Sequence, residues 1–100
     1  MTTRTSTRNA ADPIAARQPF TTSGSLRGGP PGNWPEHGRL PADHSTALMD
    51  SVVTGTVDYI VYSYGTPIAW HRTDTGWTVP DVRYSATTSR HQGVVRQAVA

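Results

Sequence analysis

The densest run of reactive side chains is YSATTSRHQG at residues 84–93. Ser85, Ser89 and His91, together with Asp81 just upstream, are the residue types of a hydrolytic triad. On a helix, Ser89 and His91 would point to different faces because they lie two positions apart. Ser85 would reach His91 only if the connecting loop folded back, and no Gly-x-Ser-x-Gly elbow is present. We therefore predict no catalytic residue and a protein that is not an enzyme.

Anion or nucleic-acid binding is a better-supported chemistry for this stretch. The first turn of a helix presents free backbone N–H groups and a partial positive charge. Serine and threonine hydroxyls would add donors, and arginines flank them in a part of the chain that has no acid after Asp81. The candidate residues are Arg83, Thr87, Thr88, Ser89, Arg90, His91 and Arg96. The competing interpretation is structural, with these hydroxyls capping the last helix.

Metal and phosphate-loop chemistry are not indicated by the spacing. No two histidines are four positions apart, and the chain has no cysteine to complete a site. The histidines are His37, His44, His71 and His91. The glycine-rich run GSLRGGPPG at 24–32 lacks the lysine and following hydroxyl of a P-loop. We expect no metal and no cofactor, and the sequence indicates no small-molecule substrate.

The composition indicates one small domain. The chain has 100 residues, 35% of them hydrophobic, and a formal net charge of +2 with arginine at all nine basic positions. The absence of cysteine excludes disulfides and is consistent with a reducing cytoplasm. The chain lacks both the roughly 18 consecutive apolar residues of a membrane span and the apolar segment of a secretory signal. We expect a cytoplasmic protein without membrane contact.

Three segments of the chain differ in composition. Residues 1–18 are polar without periodicity, which predicts a flexible tail. Residues 19–55 are rich in glycine and proline and predict a loop-rich segment that packs on the core, with one or two helical turns at 43–53. Residues 56–100 hold the regular hydrophobic patterns and predict the core itself.

The core segment predicts three strands. TVDYIVYSY at 56–64 is rich in β-branched and aromatic residues, and both of its faces are largely apolar, which is typical of a covered central strand. A two-residue type II′ turn at Gly65–Thr66 would lead into PIAWHR at 67–72. A second turn, closed by Gly76 in the left-handed region, would lead into WTV at 77–79.

A helix is predicted after Thr87, where apolar residues recur at helical spacing. Ser89 with Gln92 three positions later matches a capping box, and Thr88 is an equally good cap. The predicted fold class is therefore α+β. It consists of a three-stranded antiparallel β-meander with a C-terminal helix on one face, and an irregular Gly/Pro-rich N-terminal segment covers part of the other face.

Aromatic and arginine side chains favour a different function, protein binding. Tyrosine, tryptophan and arginine are enriched at interface hot spots. The candidate interaction residues are Tyr62, Tyr64, Trp70 and Trp77. The same side chains are also the large ones that a small core needs, so the sequence leaves open whether they lie inside or outside. A short sheet also has edges with which a partner or a second copy can pair.

The stretch YIVYSYGTPIAWHR, followed by GWTVPDVRYSATTSRHQGVVR, resembles a small domain of unknown function found in actinobacteriophages and actinobacterial genomes. The upstream PFTTSGSLRG and GRLP are also similar to it, so the resemblance covers roughly residues 19–97. It implies no established activity, substrate or catalytic residue. It implies a phage or prophage origin, and therefore a location in the cytoplasm of a bacterial host.

These observations leave three function hypotheses in order. The first is a non-enzymatic protein-binding module that acts on a host protein or by self-association. The alternative is weak nucleic-acid or anion binding by the arginine-flanked helix start at 83–96. The third is an enzyme built on Ser85 and His91.

Overall fold

The structure is a computed structural model that describes residues 3–32 and 37–99. In that part of the chain, helices are combined with a mostly antiparallel sheet, which confirms the predicted α+β class. The strands are β1 (Thr3–Arg4), β2 (Phe20–Thr21), β3 (Leu26–Gly29), β4 (Val57–Ser63), β5 (Thr66–Arg72) and β6 (Gly76–Thr78). The helices are α1 (Ala11–Ala15), α2 (Ala42–Val53) and α3 (Ala86–Val99). No helix in the described ranges is long and apolar enough to cross a membrane.

The strands form one mixed sheet of six strands in sequential order, β1 to β6. The predicted meander is present as β4–β5–β6, but the prediction of three strands is wrong because the N-terminal segment supplies three more. β3 pairs antiparallel with β4, β2 pairs antiparallel with β3, and β1 pairs parallel with β2. These added strands are two to four residues long and lack an apolar alternation. Pairing with their neighbours holds them in place, which sequence periodicity does not detect.

Residues 3–18 hold a short strand and a short helix, whereas the polarity of this segment predicts a flexible tail. Ala10 and Ile14 are fully buried, and the short helix α1 packs against α3. Phe20, at the start of β2, is also fully buried. These buried side chains anchor a polar segment, because a fully buried isoleucine or phenylalanine contributes roughly 1.5–3 kcal/mol.

The sheet has a hydrophobic cluster on each face. One cluster joins the sheet to α1 and α3 through residues such as Ile14, Tyr59 and Val95. The other joins the sheet to α2 through residues such as Leu48 and Trp70. Strand β4 is buried at six of its seven positions, which confirms a central strand that is covered on both faces.

Candidate binding site at the hairpin end

The β4–β5 turn lies at one end of the sheet and differs by one residue from the predicted turn. Ser63 pairs with Thr66, so the two turn residues are Tyr64 and Gly65. Both have positive φ, 52° and 74°, which is the pattern of a type I′ turn rather than type II′. Type I′ turns favour Asn-Gly, and a bulky residue at positive φ is a genuine outlier. Tyr64 nevertheless occupies the first position, and 60% of it is exposed.

A turn at residues 37–40 docks against this hairpin. The backbone N–H of Arg39 donates a hydrogen bond to Thr66 Oγ1 at 2.8 Å. Gly38 has φ +51°, and a Cβ added there would lie 2.6 Å from Thr66 Cα and 2.7 Å from the Gly65 carbonyl oxygen. Only glycine fits both the conformation and this close approach. The docking places the Arg39 side chain beside the hairpin.

The start of α3 completes the site, and its cap is not the one that the sequence predicts. Ser85 is the cap: its Oγ accepts a hydrogen bond from the N–H of Thr88 at 3.2 Å, and its carbonyl accepts one from the N–H of Ser89 at 2.9 Å. The predicted caps at Thr88 and Ser89 are wrong because the helix begins earlier, at Ala86. Gln92 donates to the Val82 carbonyl at 2.8 Å instead of closing a capping box.

The position of the cap predicts unequal effects for two serine variants. Ser85→Ala should lower the free energy of unfolding by about 1 kcal/mol, because it removes the cap. Ser89→Ala, at an exposed position inside the helix, should change stability by less than about 0.5 kcal/mol. Urea denaturation of both variants measures the difference. Equal losses, or a larger loss for Ser89→Ala, would contradict the cap at Ser85.

A chain of hydrogen bonds runs from the cap into the core. The Ser85 hydroxyl donates to Thr88 Oγ1 at 3.2 Å, and Thr88 Oγ1 lies 3.1 Å from Ser63 Oγ. Ser63 Oγ lies 2.7 Å from His91 Nδ1. With a neutral imidazole accepting at Nδ1, each hydroxyl can donate to the next, so that Ser63, Thr88 and His91 are mutually satisfied. Burial lowers the pKa of His91, which keeps this neutral form at pH 7.

This geometry does not support a Ser85–His91 nucleophile. His91 is paired with Ser63 rather than with Ser85. Ser63 is only 1% exposed and His91 only 4%, so a substrate carbonyl has no approach to the serine oxygen. The Tyr64 ring stacks on the His91 ring, with centroids 6.2 Å apart and planes 26° apart. The Ser63–His91 hydrogen bond and the Tyr64–His91 stacking therefore hold α3 against the end of β4.

The three elements enclose a pocket of about 290 Å³, which we call the hairpin pocket. It is lined by Arg39, Ser63, Tyr64, Thr66, Tyr84, Ser85 and Thr88. The Tyr84 hydroxyl is excluded from solvent and has no hydrogen-bond partner among the described residues. Burial raises the pKa of Tyr84, and the nearby Arg39 charge partly opposes that shift.

The seven residues predicted for anion or nucleic-acid binding do not form one site. Thr88 and His91 are buried in the network with Ser63, whereas the other five are exposed. Arg83, Ser89 and Arg96 line a second pocket of about 360 Å³, together with the acidic Asp81. Arg96 Nη2 lies 3.8 Å from Asp81 Oδ1. Neither pocket is lined by Thr87 or Arg90.

The four predicted interaction aromatics are divided between core and surface. Tyr62 and Trp70 are 5% and 3% exposed and belong to the cluster under α2. Trp77 is partly buried and packs edge-on against Tyr59, with centroids 5.9 Å apart. Tyr64 alone of the four is exposed. The sheet therefore uses three of these side chains for its own packing.

Sequence analysis did not select several residues of the hairpin pocket. Arg39 and Thr66 are distant from the polar run at 84–93, and only the docking of the Gly38 turn brings them together. Ser63 carried a usable signal, since it is a small polar residue in an otherwise apolar strand that is covered on both faces. A buried hydroxyl in such a strand requires a partner, and that partner is His91.

Comparison with known proteins yields one match. The model of a family of unknown function, DUF8033, matches residues 13–97. No curated protein and no solved structure matches the chain. The matched range includes both the hairpin and the start of α3, so every residue that lines the hairpin pocket lies within it. The chain belongs to the DUF8033 family.

Proposed function

We propose that this protein is a non-enzymatic binding module that recognises a protein partner with the end of its β4–β5 hairpin. The observation that carries the proposal is Tyr64, a large aromatic residue that is 60% exposed and held at φ +52°. It forms the rim of the hairpin pocket. An exposed aromatic beside a concave surface is the arrangement that interface hot spots use.

The conformation of Tyr64 supports a binding role because it costs stability. A non-glycine residue in the left-handed region costs on the order of 1 kcal/mol, and asparagine would relieve much of this cost. Contact with the His91 ring recovers part of it. Strained and exposed side chains of this kind concentrate at functional sites. A tyrosine at this position is therefore consistent with contact to a partner molecule rather than with a contribution to the stability of the fold.

The hydrogen bonding of the site supports a non-enzymatic role. Ser63, Thr88 and His91 satisfy one another inside the protein, so the hydroxyls of this network are not activated nucleophiles at the surface. Among the described residues no group of three His, Cys, Asp or Glu side chains converges on a metal position. The resemblance of the motifs to a phage-type domain supports a partner in a bacterial host cytoplasm, either a host protein or a second copy of this chain.

The substitution Tyr64→Asn separates binding from folding. Asn-Gly is the preferred type I′ sequence, so the gain in the turn should offset the lost ring contact and leave unfolding free energy within about 1 kcal/mol of the wild type. Peptides selected on the wild-type protein from a displayed random library should bind Tyr64→Asn at least about tenfold more weakly, as expected for an aromatic hot spot. Fluorescence anisotropy and urea denaturation measure the two quantities.

The matched control is Val53→Ser, at another exposed apolar position, 73% exposed, on the last residue of α2. It should leave peptide affinity unchanged. Sedimentation equilibrium of the wild type and of Tyr64→Asn tests self-association through the same surface. The proposal fails if no peptide is selected and the wild type is a monomer, or if Val53→Ser weakens binding as much as Tyr64→Asn does.

A further inference from the structure

The residues that line the hairpin pocket favour one chemical class of ligand. We infer that it holds an anionic group, a carboxylate or a phosphate monoester, between the Arg39 guanidinium and the Tyr84 hydroxyl at the start of α3. The inference rests on the proposed function only in assigning that group to a bound partner. The anion site itself can be tested with small molecules.

The first support is the unsatisfied hydroxyl of Tyr84. It is excluded from solvent and has no hydrogen-bond partner in the described ranges. A buried polar group without a partner is costly, and native structures contain few of them. Tyr84 lies between the hairpin pocket and the neighbouring pocket and lines both, one residue before the Ser85 cap. Because the hydroxyl has almost no accessible surface, the Tyr84 ring must rotate slightly toward the hairpin pocket, and an acceptor bound there then supplies the partner that the fold does not.

The second support is the charge of the pocket. Arg39 is exposed, lies near enough to Tyr84 to affect its titration, and forms no ion pair with a described residue. Among the described residues no carboxylate lines the hairpin pocket, in contrast to the neighbouring pocket, where Asp81 lies among the arginines. The first turn of α3 adds a partial positive charge. Within the described part of the chain, the charged residue that lines the pocket is therefore a cation, Arg39.

The third support is the shape and lining of the pocket. Two tyrosines, Tyr64 and Tyr84, and two hydroxyl residues, Ser85 and Thr88, line the pocket together with Arg39. A volume of about 290 Å³ is at the small end of the range for ligand pockets. It suits one side chain or a small aromatic acid, with the ring between the tyrosines and the anion toward Arg39.

The test uses small aromatic probes and the 100-residue chain. Benzoate, phenyl phosphate and the neutral isostere benzamide are titrated into ¹⁵N-labelled protein while amide shifts are followed. We expect benzoate or phenyl phosphate to shift the amides of residues 38–39, 64–66 and 85–88 with saturation, and benzamide to bind at least about tenfold more weakly, because it lacks the charge. The stronger of the two anions identifies the source, carboxylate or phosphate.

Three variants assign the roles of the two side chains. Arg39→Gln should weaken the preferred anion about tenfold or more, the effect of losing a charge-assisted contact. Tyr84→Phe should weaken it severalfold and leave the folded protein at least as stable as the wild type, since it removes an unsatisfied hydroxyl. The control Arg90→Gln alters an exposed arginine on α3 that lines neither pocket. It should leave anion affinity unchanged.

Two results would overturn the inference. One is benzamide binding as tightly as the anions. The other is Arg39→Gln and Arg90→Gln having equal effects on anion affinity. Either result leaves the proposed function standing if Tyr64→Asn still abolishes peptide binding. Conversely, anion binding that depends on Arg39, with no effect of Tyr64→Asn on any peptide, removes the proposed function and keeps the anion site.

Discussion

Replacing Gly38 by alanine is expected to lower the free energy of unfolding by about 3 kcal/mol, which combines a left-handed backbone penalty with overpacking. The added methyl group would meet the Thr66 Cα and the Gly65 carbonyl oxygen, at 2.6 and 2.7 Å. Both are backbone atoms of the hairpin, so neither can move aside without disturbing the turn. The same substitution should also displace Arg39 and abolish anion binding in the hairpin pocket.

Gly55→Ala is the matched control for this prediction. Gly55 also has positive φ, +74°, but an added Cβ there meets nothing within 4 Å. Its cost should therefore be only the backbone term, about 1 kcal/mol. Urea denaturation of both variants, with benzoate titration, measures the difference. Equal stability losses, or unchanged anion affinity in Gly38→Ala, would show that the 37–40 turn does not depend on its close approach to the hairpin.

The second large effect is expected at His91. His91→Ala should lower the free energy of unfolding at pH 7.5 by about 3 kcal/mol, because it removes a buried ring and the partner of the Ser63 hydroxyl. Thr88 remains within 3.1 Å of Ser63 and limits the loss. Ser89→Ala, exposed on the same helix, is the control and should change stability by less than about 0.5 kcal/mol.

His91 also predicts how the stability of the wild type depends on pH. Burial lowers its folded-state pKa below the unfolded value of about 6.5. The unfolded state therefore takes up a proton first as pH falls, and stability should decline below about pH 6.5. The decline should level off once pH passes below the lowered pKa. The opposite slope would require a raised pKa and would contradict the buried neutral imidazole.

The pH dependence should be much smaller in His91→Gln, which presents a neutral amide that does not titrate. Measurements between pH 7.5 and 5 separate this effect from that of carboxyl groups, because the ordinary pKa of a carboxyl group is about 4. Asp74 lies further from this range, since Arg72 holds its pKa below the usual value. Urea denaturation at several pH values gives both curves. If wild type and His91→Gln lose stability in parallel, the dependence arises at another group.

The elements with strong hydrophobic periodicity were predictable from sequence. Strands β4 and β5, and helices α2 and α3, carry the apolar residues that define their periods, and each lies within a few residues of its predicted position. The pairing of β3 with β4 was not predictable, because Leu-Arg-Gly-Gly has no alternation of its own. The same holds for α1, which depends on the burial of Ala10 and Ile14 against the rest of the fold.

The site was only partly predictable for a related reason. The hydroxyl-rich run from Tyr84 to Ser89 was singled out, but its cap could be assigned at several positions because serine and threonine recur there. The cation of the pocket comes from Arg39, whose position depends on a tertiary contact between Gly38 and Thr66. Long-range docking of two turns leaves no periodic pattern, so the sequence pointed to the flanking Arg83 and Arg90, neither of which lines this pocket.

The most direct test of binding at the hairpin end is a chemical-shift map of ¹⁵N-labelled protein with a selected peptide. If the peptide binds at Tyr64, the largest shifts fall at residues 38–40, 63–66 and 84–88, and Tyr64→Asn removes them. Shifts confined to the exposed arginines of α3, or to the edge of β6, would contradict it. They would place the partner on the helix surface or on the free strand instead.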